Sequence, residues 1–319
     1  MKCLIKNAKS ILNIKTTKLI MTLLLSLLLL LFLYLEFLKK KLMFKIPINI
    51  KKDRITLVSA YYKIKSKHSY NEYLEWINNI LKINSSMVFF LEYSMSKIIK
   101  KMRPKEFENK TIWIEYNMKD FYSNKHFLKD FTETFNIDFE NSYHSVPLYL
   151  VWAEKCKFLE KAIINNYFNS TCFYWVDAGY FRNSTTIKSY INNWPSSKNC
   201  YEDPRVIFNV LRASPKSEIE ELKNFNINTH IIFQKNSNVG GNMFGGQSKY
   251  ILRFINLYYN TLELFIKKKI FIGKDQNLFA FISYLHPELT KLVYSRNWFY
   301  LQDYLSEIMY HNISIKIRY

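Results

Sequence analysis

The chain has 319 residues, is rich in lysine and carries a formal net charge of +20. Half of that charge lies in residues 1–52, which hold eleven lysines and one glutamate, and the rest is spread thinly over the remainder of the chain. Without an arginine-rich stripe, this distribution does not indicate a nucleic-acid partner.

The first predicted element is an uncleaved membrane anchor over residues 19–38. Residues 19–35 are apolar and uncharged, and Phe37 and Leu38 extend the run beyond Glu36. Such a run matches the hydrocarbon thickness of a bilayer, whereas a cleaved signal peptide has a shorter apolar core and a small-residue cleavage site. Lysines flank the run on both sides, so the positive-inside rule does not choose an orientation.

The chain therefore divides into four predicted parts. They are a short basic tail (1–18), the anchor (19–38), a basic stem (39–52) that can contact anionic lipid headgroups, and one domain (53–319). Because only 18 residues precede the anchor, any function is expected on its carboxyl side.

Residues 53–319 alternate short apolar runs with amphipathic segments of helical length. Strands are predicted at 55–62, 87–91, 111–116, 172–176, 205–211 and 229–234. Helices are predicted over 70–81, from Ser248 onward and after residues 273–276. Unbroken apolar strands separated by helices are typical of a mostly parallel sheet covered on both faces, so we predict an α/β domain.

Lys67, His68 and Ser69 follow the first predicted strand, at the edge of the sheet where ligands bind. A lone histidine is more often a surface or core residue than a ligand contact, and both interpretations of His68 stay open.

Three cysteines, Cys156, Cys172 and Cys200, follow the anchor without zinc-type spacing. At least one of them would stay unpaired within the domain. Cys172 begins an apolar strand, where a buried free thiol is ordinary, and the redox compartment is left open.

All six glycines fall in three short segments: WVDAGYFR (175–182), VGGNMFGG (239–246) and GKDQ (273–276). Glycine reaches positive φ without strain and lets a ligand or another backbone approach closely. A single glycine most often marks a turn, but clustering beside Asp177 and Asp275 indicates a functional site.

Asp177 ends the predicted strand 172–176, where an open parallel sheet binds ligands. Behind an aromatic wall this carboxylate would be partly desolvated and would need an ion pair, hydrogen bonds or a divalent cation. Arg182 is its candidate structural partner, and contact with a ligand or metal is the alternative.

Segment 239–246 is predicted to be a loop that leads into the helix from Ser248, whose N-terminus would attract anions. The segment lacks the spacing of a phosphate-binding P-loop, which argues against nucleoside triphosphate hydrolysis. Asp275, flanked by Lys274 and Gln276, is predicted either to cap the next helix or to act as a general base toward a hydroxyl group.

These motifs resemble the HtrL/YibB family of glycosyltransferase-like proteins. The resemblance runs through 59–76, 147–162, WVDAGYFR, GGNMFGG, GKDQ and 298–305. It implies a glycosyltransferase fold of the A type, in which a nucleotide-sugar lies over the ends of the early strands and an acidic motif holds a divalent metal against the diphosphate. Asp177 would be the metal and donor ligand, but the usual Asp-x-Asp is replaced by Asp177, Ala178 and Gly179, which leaves dependence on Mn or Mg in doubt.

By the same resemblance, Asp275 would be the catalytic, acceptor-facing carboxylate. Donor-binding residues would be Lys67, His68, Asp177 and Arg182, and acceptor-binding residues would be Gly240, Gly241, Asn242, Gly245, Gly246, Lys274 and Gln276. The leading hypothesis is a membrane-anchored glycosyltransferase that moves a sugar from a nucleotide-sugar to a hydroxyl acceptor such as a glycan, with its domain lumenal or extracytoplasmic. The alternative is a non-catalytic anchored protein that retains the fold to bind a glycan or a partner.

Overall fold

The computed structural model describes residues 55–192, 194–213, 217, 219–220 and 239–306, together with Ser26. All except Ser26 belong to one compact unit, Asp53–Tyr319. The anchor predicted over 19–38, apart from Ser26, and the strand predicted over 229–234 lie outside the described residues. Within those residues, no helix combines the length and apolar character needed to cross a membrane.

A seven-stranded sheet forms the centre of the described unit, in the order β3-β2-β1-β4-β6-β5-β7. Pairing is parallel throughout except that β6 runs antiparallel to both of its neighbours. The prediction of an α/β domain with a mostly parallel sheet is confirmed. The strands are β1 (Ile55–Tyr61), β2 (Ser86–Leu91), β3 (Thr111–Glu115), β4 (Cys172–Val176), β5 (Val206–Val210), β6 (Val239–Gln247) and β7 (Thr290–Tyr294).

Eight α-helices and three short 3₁₀ turns have both of their ends within the described part of the chain. The helices are α1 (Tyr70–Leu81), α2 (Tyr93–Lys100), α3 (Tyr122–Phe135), α4 (Val146–Asn165), α5 (Lys198–Glu202), α6 (Ser248–Lys267), α7 (Asp275–Leu285) and α8 (Leu301–Tyr304). The 3₁₀ turns span Lys105–Lys110, Met118–Asp120 and Thr186–Ser189. Helix α1 begins where predicted because Ser69 and Glu72 form a capping box.

The sheet is covered on both faces, which explains why its strands read as unbroken apolar runs. Successive residues of β4 point to opposite sides: Phe173 and Trp175 join one buried cluster, whereas Cys172, Tyr174 and Val176 join the other. Because successive side chains of a strand point to opposite faces of the sheet, this one apolar strand contributes to both buried clusters.

Segment 239–246, predicted as a loop, is part of strand β6, so that prediction was wrong. Pairing with β4 and β5 places Gly245 opposite Tyr174 on one side and Ile207 on the other. None of the six glycines has positive φ. The glycines of β6 instead allow close packing, since a Cβ at Gly245 would lie 2.2 Å from the Phe173 carbonyl oxygen.

Cys172 and Cys200 form a disulfide that links β4 to α5, with their Cα atoms 6.5 Å apart. The interpretation of Cys172 as a free thiol was therefore wrong, and Cys156 is the buried free cysteine of the described residues. Sequence spacing could not choose the pair, because 28 positions separate the two residues.

Glu154, fully buried on α4, holds the N-terminus of α3. Its carboxylate accepts hydrogen bonds from the backbone N–H groups of Tyr122 (3.0 Å) and Ser123 (2.9 Å) and from the Tyr116 hydroxyl (3.3 Å). Burial raises the pKa of Glu154, and these hydrogen bonds oppose that rise. The side chain thus supplies acceptors to a helix end that has no capping side chain of its own.

We expect Glu154→Ala to lower the free energy of unfolding by about 3 kcal/mol, because it leaves the buried Ser123 N–H and the partly buried Tyr122 N–H without their acceptor. Urea denaturation would measure the change. Glu160→Ala is the matched control on the same helix: Glu160 is partly exposed and pairs with Lys157, so a loss below about 1 kcal/mol is expected. Equal losses in the two variants would contradict the capping role.

Candidate active site

A cavity of about 910 Å³ opens at the carboxyl ends of β1 and β4. Its volume is typical of a site for a small molecule. Tyr61 and Tyr62 reach it from the end of β1, Trp175 and Asp177 from the end of β4, and Asp275 from the start of α7. The cavity therefore lies where the topology of a parallel sheet predicts a ligand.

Asp177 and Asp275, far apart in sequence, converge on one buried lysine in the cavity wall. The ammonium nitrogen of Lys155 lies 3.2 Å from Asp177 Oδ1 and 2.9 Å from Asp275 Oδ2, and it donates to the Gly241 carbonyl at 2.9 Å. The Lys155 and Asp275 side chains are 3% and 4% exposed, whereas that of Asp177 is 34% exposed. Asp177 is thus the more accessible of the two carboxylates.

The charges of this triad are strongly coupled. Burial acts to lower the pKa of Lys155, but the two carboxylates outweigh it and hold that pKa above its ordinary value. Desolvation raises the pKa of Asp177, with Lys155 opposing the rise and Asp275 adding to it. The Trp175 indole N–H also donates to Asp177 Oδ1 at 2.6 Å, so two donors orient this carboxylate.

Gly241 lets the Asp275 carboxylate reach Lys155. A Cβ at this position would lie 2.8 Å from Asp275 Oδ2, closer than side chains pack in proteins. Asp275 is also the first residue of α7, and its Oδ1 accepts a hydrogen bond from the Gln276 N–H at 2.8 Å. One oxygen of Asp275 therefore accepts a hydrogen bond within the helix, and the other forms an ion pair with Lys155.

Eight of the predicted site residues line the cavity, and four do not. The lining members are Lys67, Asp177, Arg182, Gly241, Asn242, Lys274, Asp275 and Gln276. Three of the others are glycines of β6 that do not line the cavity: Gly240, Gly245 and Gly246. Gly245 packs against the backbone of β4, and Gly246 packs against the backbone of residues 204–205, directly before β5. His68 also lies outside it, edge-on to Trp76 with ring centres 4.8 Å apart and 3.5 Å from Glu72.

Arg182 is not the partner of Asp177, which corrects one of the two interpretations of that carboxylate. Its guanidinium lies over the rings of Trp76 (4.4 Å) and Phe299 (5.1 Å) and donates to the Gly179 carbonyl at 3.3 Å. Stacking of this kind leaves much of a guanidinium fork free to meet an anion. The side chain is exposed at the cavity mouth.

The lining carries a net positive charge. It includes four basic side chains (Lys67, Lys155, Arg182, Lys274) and three acidic ones (Glu140, Asp177, Asp275). Glu140 forms a short contact with the Lys274 ammonium and lies 4.0 Å from that of Lys67. An excess of one positive charge favours an anionic ligand.

A buried network on the adjoining wall joins His144 to α4. The His144 Nδ1 and the Tyr149 hydroxyl both contact Asp138 Oδ2, the former at 2.6 Å, and Oδ1 of Asp138 accepts from the Glu140 N–H at 2.9 Å. Burial acts to raise the pKa of Asp138, but these partners outweigh it and hold the pKa below its ordinary value.

A depressed carboxyl pKa contributes stability above the unfolded value of about 3.9, and this contribution is lost as the pH falls through the folded value. We therefore expect the parent chain to lose stability as the pH falls below about 4, and we expect Asp138→Asn to remove part of that loss. Urea denaturation at a series of pH values would measure it. Asp120→Asn, at an exposed carboxylate paired with Lys125, should leave the profile unchanged.

The residues fit a resident divalent metal poorly. Asp177 and Asp275 supply the carboxylates near the cavity floor, but the Lys155 ammonium already lies between them. Within the described residues, no group of three or more His, Cys, Asp or Glu side chains could hold a metal ion. A cation between these carboxylates would have to displace a tethered, buried ammonium.

Sequence reasoning missed Lys155 and His144. Lys155 lies in the segment 147–162 that carries the family resemblance, but a lysine on a helix is usually solvated. Its neighbours Glu154 and Cys156 are also buried, so two adjacent charged residues inside an apolar helix were the available signal.

The family model described as "Bacterial protein of unknown function (HtrL_YibB)" matches residues 53–305. No curated protein matches the chain. Among solved structures, the 4-diphosphocytidyl-2C-methyl-D-erythritol synthase of Anaerococcus prevotii is similar at 9% identity and a TM-score of 0.37, over 77% of this chain and 90% of that one.

Proposed function

We propose that this chain, which belongs to the HtrL_YibB family, is a membrane-anchored glycosyltransferase of the A-type fold that moves a sugar from a nucleotide-sugar to a hydroxyl acceptor. The observation that carries the proposal is the convergence of Asp177 and Asp275 on Lys155, in the wall of a positively charged cavity at the carboxyl ends of the strands.

Sugar transfer requires that a departing diphosphate be stabilised and that an acceptor hydroxyl be aligned. In our proposal Arg182 and Lys67, both exposed on the cavity wall, meet the diphosphate. Asp275, flanked by Gln276 and Lys274, keeps its proposed role as the carboxylate that orients the hydroxyl. The accessible Asp177 contacts the bound donor.

The Cys172–Cys200 disulfide supports a location outside the cytosol. Disulfides persist in oxidising compartments and are rare in the cytosol, where thiols are kept reduced. With the predicted anchor over 19–38, this favours a lumenal or extracytoplasmic domain in our proposal.

The test uses the purified full-length chain in detergent with UDP-, GDP- and CMP-sugars. A donor present at 100 times its dissociation constant should stabilise the fold by about 2.7 kcal/mol in a thermal-shift assay. Hydrolytic release of the nucleotide, in which water takes the sugar, should fall by about 100-fold or more in Asp177→Ala and in Asp275→Ala, because in our proposal the first loses the carboxylate that contacts the donor and the second the one that orients the attacking hydroxyl. Asp120→Ala, at a surface ion pair, is the control.

The rival proposal is a non-catalytic glycan- or partner-binding protein with the same fold. It is favoured by the engagement of both Asp275 oxygens, which leaves little of that carboxylate to accept a proton. Thermal stabilisation by a glycan but by no nucleotide-sugar would support the rival. Nucleotide release that is unchanged in both aspartate variants would reject the roles assigned to them.

A further inference from the structure

Three oxygens surround the Lys155 ammonium, and we call this arrangement the cage. An ammonium group has three N–H donors, and the three oxygens within its reach are Asp177 Oδ1 (3.2 Å), Asp275 Oδ2 (2.9 Å) and the Gly241 carbonyl oxygen (2.9 Å). Three separate elements supply them: the end of β4, the start of α7 and strand β6. Helix α4 supplies the lysine, whose side chain is 3% exposed.

The same cage is a donor set for a hard divalent cation. Two carboxylates and a backbone carbonyl are the ligands that Mg²⁺ and Mn²⁺ take from proteins. Such ions need oxygens at roughly 2.0 to 2.2 Å, well inside the distances to the ammonium, so the ion and the ammonium cannot share the position. Two carboxylates left without any cation would repel each other inside the protein.

We propose that Lys155 is the built-in cation of this site, in the place where a divalent metal would otherwise join the two carboxylates. A lysine ammonium is a compact point charge, and because this one is tethered to the chain, it competes with a dissolved ion as an intramolecular group. The carboxylates are thereby held together with no metal. Removal of the ammonium turns the cage into a divalent cation site.

One consequence rests on the proposed function. If the cavity binds a nucleoside diphosphate, the positive charges that contact the phosphates are protein side chains and not a metal ion. Arg182 is well placed to be one of them, because it is exposed, its guanidinium is held between Trp76 and Phe299, and within the described residues it pairs with no carboxylate. Planar guanidinium groups bind phosphate oxygens with two parallel hydrogen bonds. Donor binding should therefore be the same with EDTA as with Mn²⁺.

The experiment measures Mn²⁺ binding without any nucleotide, by electron paramagnetic resonance of free Mn²⁺ and by isothermal titration. The samples are the parent full-length chain, Lys155→Ala and the double variant Lys155→Ala/Asp177→Asn. We expect Lys155→Ala to bind one Mn²⁺ at least about tenfold more tightly than the parent, because its cage gains an uncompensated negative charge. The double variant should lose this gain.

The melting temperature is a second measurement, for use if Lys155→Ala is poorly folded. Mn²⁺ should raise the melting temperature of Lys155→Ala and leave that of the parent unchanged. Lys155→Met, which keeps an apolar stem of similar length and lacks the ammonium group, serves if Lys155→Ala cannot be purified.

Tight Mn²⁺ binding by the parent chain that disappears in Asp177→Asn would overturn the proposal. So would Lys155→Ala and Lys155→Met that are folded and bind Mn²⁺ no better than the parent. Neither result depends on a nucleotide-sugar, so the proposal on Lys155 and the proposed function fail separately.

Discussion

Gly245→Ala should abolish the native fold. A Cβ at this position would lie 2.2 Å from the Phe173 carbonyl oxygen and 2.6 Å from the Tyr174 Cα, both backbone atoms of the paired strand β4. Backbone cannot rotate away as a side-chain end can, so β4 and β6 would have to separate at the centre of the sheet. Overpacking of a core usually costs about 1 to 3 kcal/mol, and we expect more than about 4 kcal/mol here.

Gly240→Ala is the matched control within the same strand. Its nearest neighbours would be Asn242 Oδ1 at 3.1 Å and the Trp298 ring at 3.4 Å, both side-chain atoms that can shift by a few tenths of an ångström. Urea denaturation and far-ultraviolet circular dichroism would compare the two variants. A folded Gly245→Ala with the stability of Gly240→Ala would contradict the strand pairing and restore the predicted loop.

Reduction of the Cys172–Cys200 disulfide should produce the second large effect. The bond closes a loop of 28 residues in sequence separation, for which chain entropy predicts a contribution of about 3.5 kcal/mol. It also joins the first residue of β4, the strand that Asp177 directly follows, to helix α5. We expect a reducing agent to lower the melting temperature of the parent chain.

Cys200→Ser provides the control, because its melting temperature should already be lowered and should not respond to the reducing agent. Mass spectrometry of a non-reducing digest should identify the peptide pair that contains Cys172 and Cys200. A parent chain whose melting temperature ignores the reducing agent, with both thiols open to alkylation, would contradict the bond. It would also remove the main structural support for a location outside the cytosol.

Local pattern sufficed for most of the secondary structure. Helix α1 has the predicted bounds, as does β4, because apolar spacing and a capping box are properties of adjacent residues. The unbroken apolar runs predicted a mostly parallel sheet. That arrangement in turn predicted that Asp177 lies at the edge of the sheet formed by the carboxyl ends of the strands. Strand β6 was not predicted, because a glycine-rich segment has neither apolar periodicity nor β propensity. Its strand conformation depends on pairing with β4 and β5.

Composition and the pattern of adjacent residues were thus enough to predict the class of fold, the edge of the sheet at which the cavity lies and the two aspartates proposed for testing. Only the tertiary structure decided what those aspartates contact. Lys155 is 22 positions from Asp177 and 120 from Asp275, and no local pattern states that a helical lysine will be buried between them. The partners of a charge and of a cysteine are set by packing between distant segments, which is why the sequence left two interpretations of the partner of Asp177 open and why Cys172 was interpreted as a free thiol.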